Sequence, residues 1–178
     1  MVRHFDTKQF AANGRQAAID FAKYFPGTFP VCGTLLGMVR EDNVIAHDSD
    51  VDFGCLAWPH KPMPAEIGPF KKWRTFHHRG KIVEIAYKHE LSVKVDLFYF
   101  FPDGDLRCFA AWADEFPHRK TIVRKFPKAL FEEFCPLRAF GTVFHSIAAP
   151  EKFLECNYGP NWRTPDRSFD YRTCHQKQ

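Results

Sequence analysis

The first regular pattern in the chain is helical. Phe10, Gly14, Ala17, Ala18, Phe21, Ala22 and Phe25 fall on one face at a period of about 3.6 residues. Asp6 stands at the N-cap position with Gln9 three residues later, and Phe5 and Phe10 occupy the flanking staple positions. Gly14 weakens the middle enough to allow two shorter helices, and Pro26 stops the run. The period then changes. "TFPVCG" reads as a short strand and "TLLGMVRE" as a short helix starting just after Gly33. "SDVDFGCLA" alternates as a strand does, with Val51, Phe53 and Cys55 on one face and Asp50, Asp52 and Gly54 on the other.

Beyond the proline-rich "WPHKPMPAEIGPF", read as a loop with at most one helical turn, the pattern is that of strands. "RTFHHRG", "KIVEIAYKH", "LSVKVDLFYFF", "LRCFAAW", "TIVRKFP" and "LRAFGTVFHSI" follow one another, with "PDGD" as a turn. In "LSVKVDLFYFF", Val93, Val95 and Leu97 share one face, and Lys94, Asp96 and Phe98 the other. A last helix opens at Pro150 and runs to Gly159, a residue suited to the position after a helix end. The order α-β-α-β, a β meander and a closing α predicts an α+β domain over residues 1–165, with a polar tail at 166–178.

Composition narrows this. The 178 residues, 45% hydrophobic, suffice for one domain with a core and exclude a disordered chain. The 20 phenylalanines are enough to fill a core and also line a pocket. A net charge of +4 suits an anionic ligand, but no dense Lys/Arg stripe appears, so no stable nucleic-acid partner is expected. "FKKWR" and "PHRKTIVRKFPK" read as solvated faces. The six cysteines form no CxxC pair, which argues against zinc and for free thiols, with Cys32 and Cys55 as small core residues. "MVRHFDTKQF" has no signal-peptide pattern and no apolar run is long enough to span a bilayer, so a cytoplasmic location is expected. Nothing indicates the oligomeric state.

The candidate chemistry lies between Gly33 and Asp96. Asp50 and Asp52 project to one side of a strand, about 7 Å apart along it. Such a pair can share a divalent cation, and oxygen ligands favour Mg²⁺ or Mn²⁺. Asp96 joins them if its strand is a neighbour. Asp48 precedes them in the same acidic run. Gly33 and Thr34 open a helix whose free N–H groups favour phosphate, and Arg40 is a further anion-binding candidate. Each feature alone has an ordinary explanation as a cap, a strand end or a surface charge; the combination is more specific.

"GTLLGMVRED…IAHDSDVDFG", then "VKVDLF", then "PEKFLECNYGPNWRTP" resemble, in order, the motifs of the LicD family of phosphocholine and fukutin-related transferases, within the nucleotidyltransferase (polymerase-β-like) superfamily. The sequence departs from the family at Ala46-His47, where a Pro-Trp-like pair is usual; packing or support of the site is expected of His47. The resemblance implies a mixed sheet with flanking helices. It further implies metal-dependent transfer of a phospho-alcohol, such as phosphocholine or ribitol phosphate, from a CDP-linked donor to a glycan hydroxyl. Asp50, Asp52 and Asp96 would be the catalytic and metal-binding carboxylates, Asp96 either a ligand or the base. Gly33, Thr34 and Arg40 would hold the diphosphate, Asp48 would be a further ligand or a supporting partner, and Lys94, on the face of Asp96, would meet phosphate or form a salt bridge. Tyr158 and Trp162 would line the pocket or latch the last helix. Two rivals stand beside this reading: transfer of NMP from an NTP, and a non-catalytic nucleotide or glycan binder.

Overall fold

The computed structural model describes residues 7–57, 63–113, 120–166, 168 and 169. The expected N-cap Asp6, the staple residue Phe5, Cys174 and most of the polar tail lie outside them. The elements in chain order are α1 (Thr7–Tyr24), β1 (Phe29–Pro30), α2 (Cys32–Glu41), β2 (Asp50–Cys55), β3 (Glu66–Ile67), β4 (Phe70–His78), β5 (Lys81–His89) and β6 (Lys94–Tyr99). There follow β7 (Phe101–Asp103), β8 (Leu106–Ala113), β9 (Lys120–Pro127), a 3₁₀ turn at Lys128–Phe131, β10 (Phe134–Ala139), β11 (Thr142–Ile147) and α3 (Pro150–Tyr158). The α+β class expected from the element order is the one observed.

The central sheet has the order β1-β2-β6-β5-β4-β3. It is mixed: β2 and β6 run parallel, and its other neighbours are antiparallel. The parallel pair aligns Asp50 with Lys94 and Asp52 with Asp96. Its odd-numbered residues Val51, Phe53, Val95 and Leu97 are buried under α1 in a cluster with Ala17, Ala18, Phe21 and Phe25. Phe21 stacks on Phe25 at 4.1 Å between ring centroids and lies 4.8 Å from Phe53. On the other face, β7, β8, β9 and α3 enclose a second cluster that includes Phe98, Phe100, Phe109, Phe126 and Phe153. Phe126 and Phe153 stack at 4.4 Å. The phenylalanine-rich composition therefore fills two cores, one on each face.

Four elements depart from the reading of the pattern. Gly14 does not divide α1; a Cβ there would lie 3.2 Å from Val44, so the missing side chain lets the following loop pack closely. α2 begins at Cys32, before Gly33, and Cys32 itself has a left-handed φ of 47°. β4 begins at Phe70, and the proline-rich segment before it contributes the short strand β3 rather than a helical turn among its described residues. "LRAFGTVFHSI" is a hairpin, not one strand: Phe140 (φ 56°) and Gly141 (φ 72°) turn the chain with two successive left-handed residues, the geometry of a tight hairpin turn. A phenylalanine at the first of these positions hides the turn from sequence rules. It is held there by a bond from its N–H to Asp42 Oδ1 at 2.9 Å and by the Phe144 ring.

Candidate functional site

The loop before α2 and the parallel strands β2 and β6 meet at one place. Strand β1 stops at Pro30, so the outer backbone groups of Asp52 need other partners. Val31 N–H donates to the Asp52 carbonyl at 3.1 Å, and the Asp52 N–H donates to the Thr34 hydroxyl at 2.7 Å. Thr34 is buried and fastens the start of α2 to β2. No side chain caps α2 from its N-cap residue, Val31; instead the Asp52 carboxylate accepts from Gly33 N–H at 3.3 Å. A carboxylate is thus placed at the positive end of a helix. A Cβ on Gly33 would run into the Asp48 carboxylate, so any side chain there would have to push Asp48 aside.

The register of β2 and β6 sets four side chains as the corners of a square on one face: Asp50 beside Lys94 and Asp52 beside Asp96. Oxygen atoms of Asp50, Asp52 and Asp96 lie within 4.8 Å of one another. The Lys94 ammonium lies 2.7 Å from Asp50 Oδ2 and 2.8 Å from Asp96 Oδ2. Asp96 is 4% exposed, and its second oxygen, Oδ1, is buried without a hydrogen-bond partner. Asp48 is half-buried; its Oδ1 accepts from Ser49 N–H at 3.0 Å.

This cluster is electrostatically unfavourable as an anion set. Burial, then the charge of Asp50, pushes the Asp48 carboxyl up to about 7. Burial raises Asp96 to about 6 against the opposing pull of Lys94. Burial and the neighbouring carboxylates hold Asp52 well above the ordinary range. Burial alone would lower Lys94, but Asp96 and Asp50 outweigh it and hold the ammonium charged. Carboxylates raised by burial and then by one another, one with an unsatisfied buried oxygen, form an all-oxygen donor set that fits a hard divalent cation such as Mg²⁺ or Mn²⁺.

The structure brings Gly33, Thr34, Asp48, Asp50, Asp52, Lys94 and Asp96 together, and Tyr158 near them. Tyr158, at the end of α3, is half-buried; burial and the nearby Cys32, Asp52 and Asp48 raise its hydroxyl well above the ordinary value. Arg40 and Trp162 are held by other contacts. Arg40 sits in the last turn of α2, roughly 10 Å along the helix from Gly33. Its Nε donates to Glu41 at 2.9 Å and its guanidinium also contacts the Trp162 carbonyl at 3.5 Å. Trp162 is 5% exposed within the second aromatic cluster, with the Arg163 guanidinium over its ring. His47 is exposed and belongs to neither core cluster, so the expected packing role is not observed.

Two residues at this site escape a reading of the sequence. Cys32 lies where α2 begins, in a backbone conformation that costs a non-glycine residue energy. Burial, then Asp52, holds its thiol well above the ordinary value, so the thiol stays protonated beside the carboxylates. Arg124 of β9, from a segment that reads as a solvated face, is 4% exposed, and its positive charge acts on both Cys32 and Tyr158. A single buried arginine in a basic stretch carries no spacing signal that distinguishes it from its exposed neighbours.

Residues 28–151 match the family described as "LicD/FKTN/FKRP, nucleotidyltransferase domain". The chain is 28% identical over 151 residues to "Ribitol-5-phosphate transferase FKTN" of Mus musculus, covering 79% of this chain and 30% of that protein. It is 28% identical over 147 residues to the Homo sapiens protein of the same name, again 79% of this chain and 30% of the other. It is also 28% identical over 136 residues to "Ribitol 5-phosphate transferase FKRP" of Homo sapiens, covering 72% of this chain and 26% of that protein. The chain therefore spans less than a third of the length of these relatives.

Proposed function

The chain belongs to the LicD/FKTN/FKRP nucleotidyltransferase family, and on that premise we propose that it is a metal-dependent transferase of a phospho-alcohol from a CDP-linked donor to a glycan hydroxyl. The observation that carries this reading is the convergence of Asp50, Asp52 and Asp96, the last of which also has a buried oxygen without a hydrogen-bond partner. The names of the relatives make ribitol phosphate the first group to test and CDP-ribitol the first donor; phosphocholine from CDP-choline is the second.

In this reading the acceptor hydroxyl oxygen attacks the phosphorus that bears the alcohol. A new P–O bond forms to the acceptor, the P–O bond to CMP breaks, and CMP leaves with the electron pair. Asp50, Asp52 and Asp96 would hold Mg²⁺ or Mn²⁺, with Asp48 beside them; a bound cation supplies neutralisation of charge developing on the phosphoryl oxygens. Asp96 accepts the acceptor's proton or serves only as a ligand. The first function is compatible with a carboxyl raised to about 6, which keeps it basic enough to take a proton near neutral pH. Tyr158, whose hydroxyl is within electrostatic reach of Cys32, Asp52 and Asp48, would line the nucleotide or acceptor pocket.

The test is thermal stabilisation by CDP-ribitol, CDP-choline, CDP-glycerol, CTP and ATP, each with and without Mg²⁺ or Mn²⁺, for the protein and for Asp50→Ala/Asp52→Ala. A ligand that binds only the folded state raises the melting temperature by mass action. The expected outcome is a metal-dependent shift with one CDP-alcohol, lost in the variant, and CMP release when acceptor glycans are added. A shift with CTP or ATP alone would replace this reading with NMP transfer. Binding without any CMP release would replace it with a non-catalytic binder.

A further inference from the structure

We propose that Lys94 is a resident counter-ion which holds the carboxylate cluster together in the metal-free protein and is displaced from it when a divalent cation binds. The proposal rests on the metal-dependent reading above and deepens it. It assigns an ordered exchange of one cation for another.

The geometry points to exchange, not coexistence. Lys94 is not a neighbour that happens to reach the site; the parallel register fixes it as the fourth corner of the square made with Asp50, Asp52 and Asp96. Its nitrogen lies 2.7 and 2.8 Å from one oxygen each of Asp50 and Asp96, so it stands between two members of the candidate ligand set. A Mg²⁺ or Mn²⁺ ion draws its oxygen ligands to about 2.1 Å. An ion held by all three carboxylates would therefore sit within the space the ammonium now bridges. Two cations at that separation repel strongly, and the flexible one leaves: Lys94 has a four-carbon stem and a side chain 34% exposed, so a path to solvent is open. Removing the ammonium without replacement would leave the carboxylates to repel one another with no positive charge between them. A methionine or leucine at this corner would give a metal site that falls apart when empty, whereas lysine gives one that is preassembled.

The experiment has two readouts, neither of which is turnover. First, the affinity for Mg²⁺ is measured by calorimetry for the protein, Lys94→Met and Lys94→Arg. Lys94→Met is expected to bind Mg²⁺ at least about tenfold more tightly, because no cation has to be expelled. Lys94→Arg is expected to bind it more weakly than the parent, since a guanidinium grips two carboxylates more firmly. In EDTA, Lys94→Met melts below the parent. Second, lysine amines are labelled by reductive methylation and read by mass spectrometry with EDTA or with Mg²⁺. Lys94 is expected to be protected in EDTA and labelled in Mg²⁺, while Lys71, whose side chain is 77% exposed, is labelled in both. Mg²⁺ binding with Lys94 still protected, or equal affinities in all three chains, would overturn the proposal and leave the metal-dependent reading standing. If no chain binds Mg²⁺, both fail.

Discussion

The two faces of the parallel pair β2 and β6 are built from the same strands with opposite logic. On the α1 side, Val51, Phe53, Val95 and Leu97 are almost completely removed from water and packed against Phe21 and its neighbours. On the other side the same strands carry Asp50, Asp52, Lys94 and Asp96, and only further along change to Gly54 and Phe98. Even there the fit is tight: a Cβ on Gly54 would lie 2.6 Å from Phe100 and 2.9 Å from Phe29. The apolar face contributes stability through burial. The polar face works against stability, since its carboxylates are desolvated and crowded. One face supports the cost of the other across a single layer of backbone.

Substitutions on the two faces should therefore separate stability from activity, and this is the largest effect expected. Phe53→Ala should cost about 3–5 kcal/mol in chemical denaturation, the usual range for a buried aromatic. Asp52→Asn should leave the metal-free melting temperature unchanged or raised, while lowering CMP release by about a thousandfold or more. Equal losses of stability from both would show that the carboxylates are structural.

A smaller effect is expected in the pH dependence. The Asp48 and Asp96 carboxyls rise to about 7 and about 6 on folding, against 3.8 in the unfolded chain. Between those values the folded state holds protons the unfolded state has released. Their contribution is thus present at low pH and lost as pH rises through about 6 to 7, the reverse of a salt-bridged carboxylate. The metal-free melting temperature should fall by roughly 5 °C between pH 5 and 8, and Asp96→Asn should flatten that slope. Mg²⁺, replacing protons, should stabilise more at pH 8 than at pH 5. A slope unaffected by Asp96→Asn would contradict the crowding argument.

The smallest effect concerns the bond that holds α2 to the polar face. Thr34→Val leaves the Asp52 N–H without its acceptor and should cost about 1–2 kcal/mol, whereas Thr34→Ser should restore most of it. If valine and serine behave alike in denaturant melts, the hydroxyl does not fasten the helix.

These contrasts were legible in the sequence to different depths. The alternation in "VDFGC" and "VKVDLF" assigns each residue to a face, because side chains on a strand have a period of two. It does not say that the two strands are neighbours, nor that they are parallel. That register turns Lys94 from an optional phosphate contact into the partner of Asp50 and Asp96. Thr34 and Gly33 read as a helix start open to phosphate, yet their polar groups bond to Asp52, an outcome fixed by where β1 ends. Tyr158 and Trp162 share one motif, but a helix end and a turn separate them. Both belong to the second aromatic cluster, Trp162 buried within it and Tyr158 half-buried against it where the charges of Asp52 and Asp48 reach its hydroxyl, a difference no spacing rule contains.

The pairing of β2 with β6 also has a kinetic side. Asp52 and Asp96 are far apart in the chain, and the strands β3, β4 and β5 with their connections lie between them. Parallel contacts of such long range form late, because the loop entropy is lost before the contact is gained. The like charges therefore meet only as the sheet closes, so their repulsion falls on the barrier to folding as well as on the finished protein. The lysine that arrives on the same strand as Asp96 brings the compensating charge at the moment it is needed, and the chain can close its sheet before any ion is available.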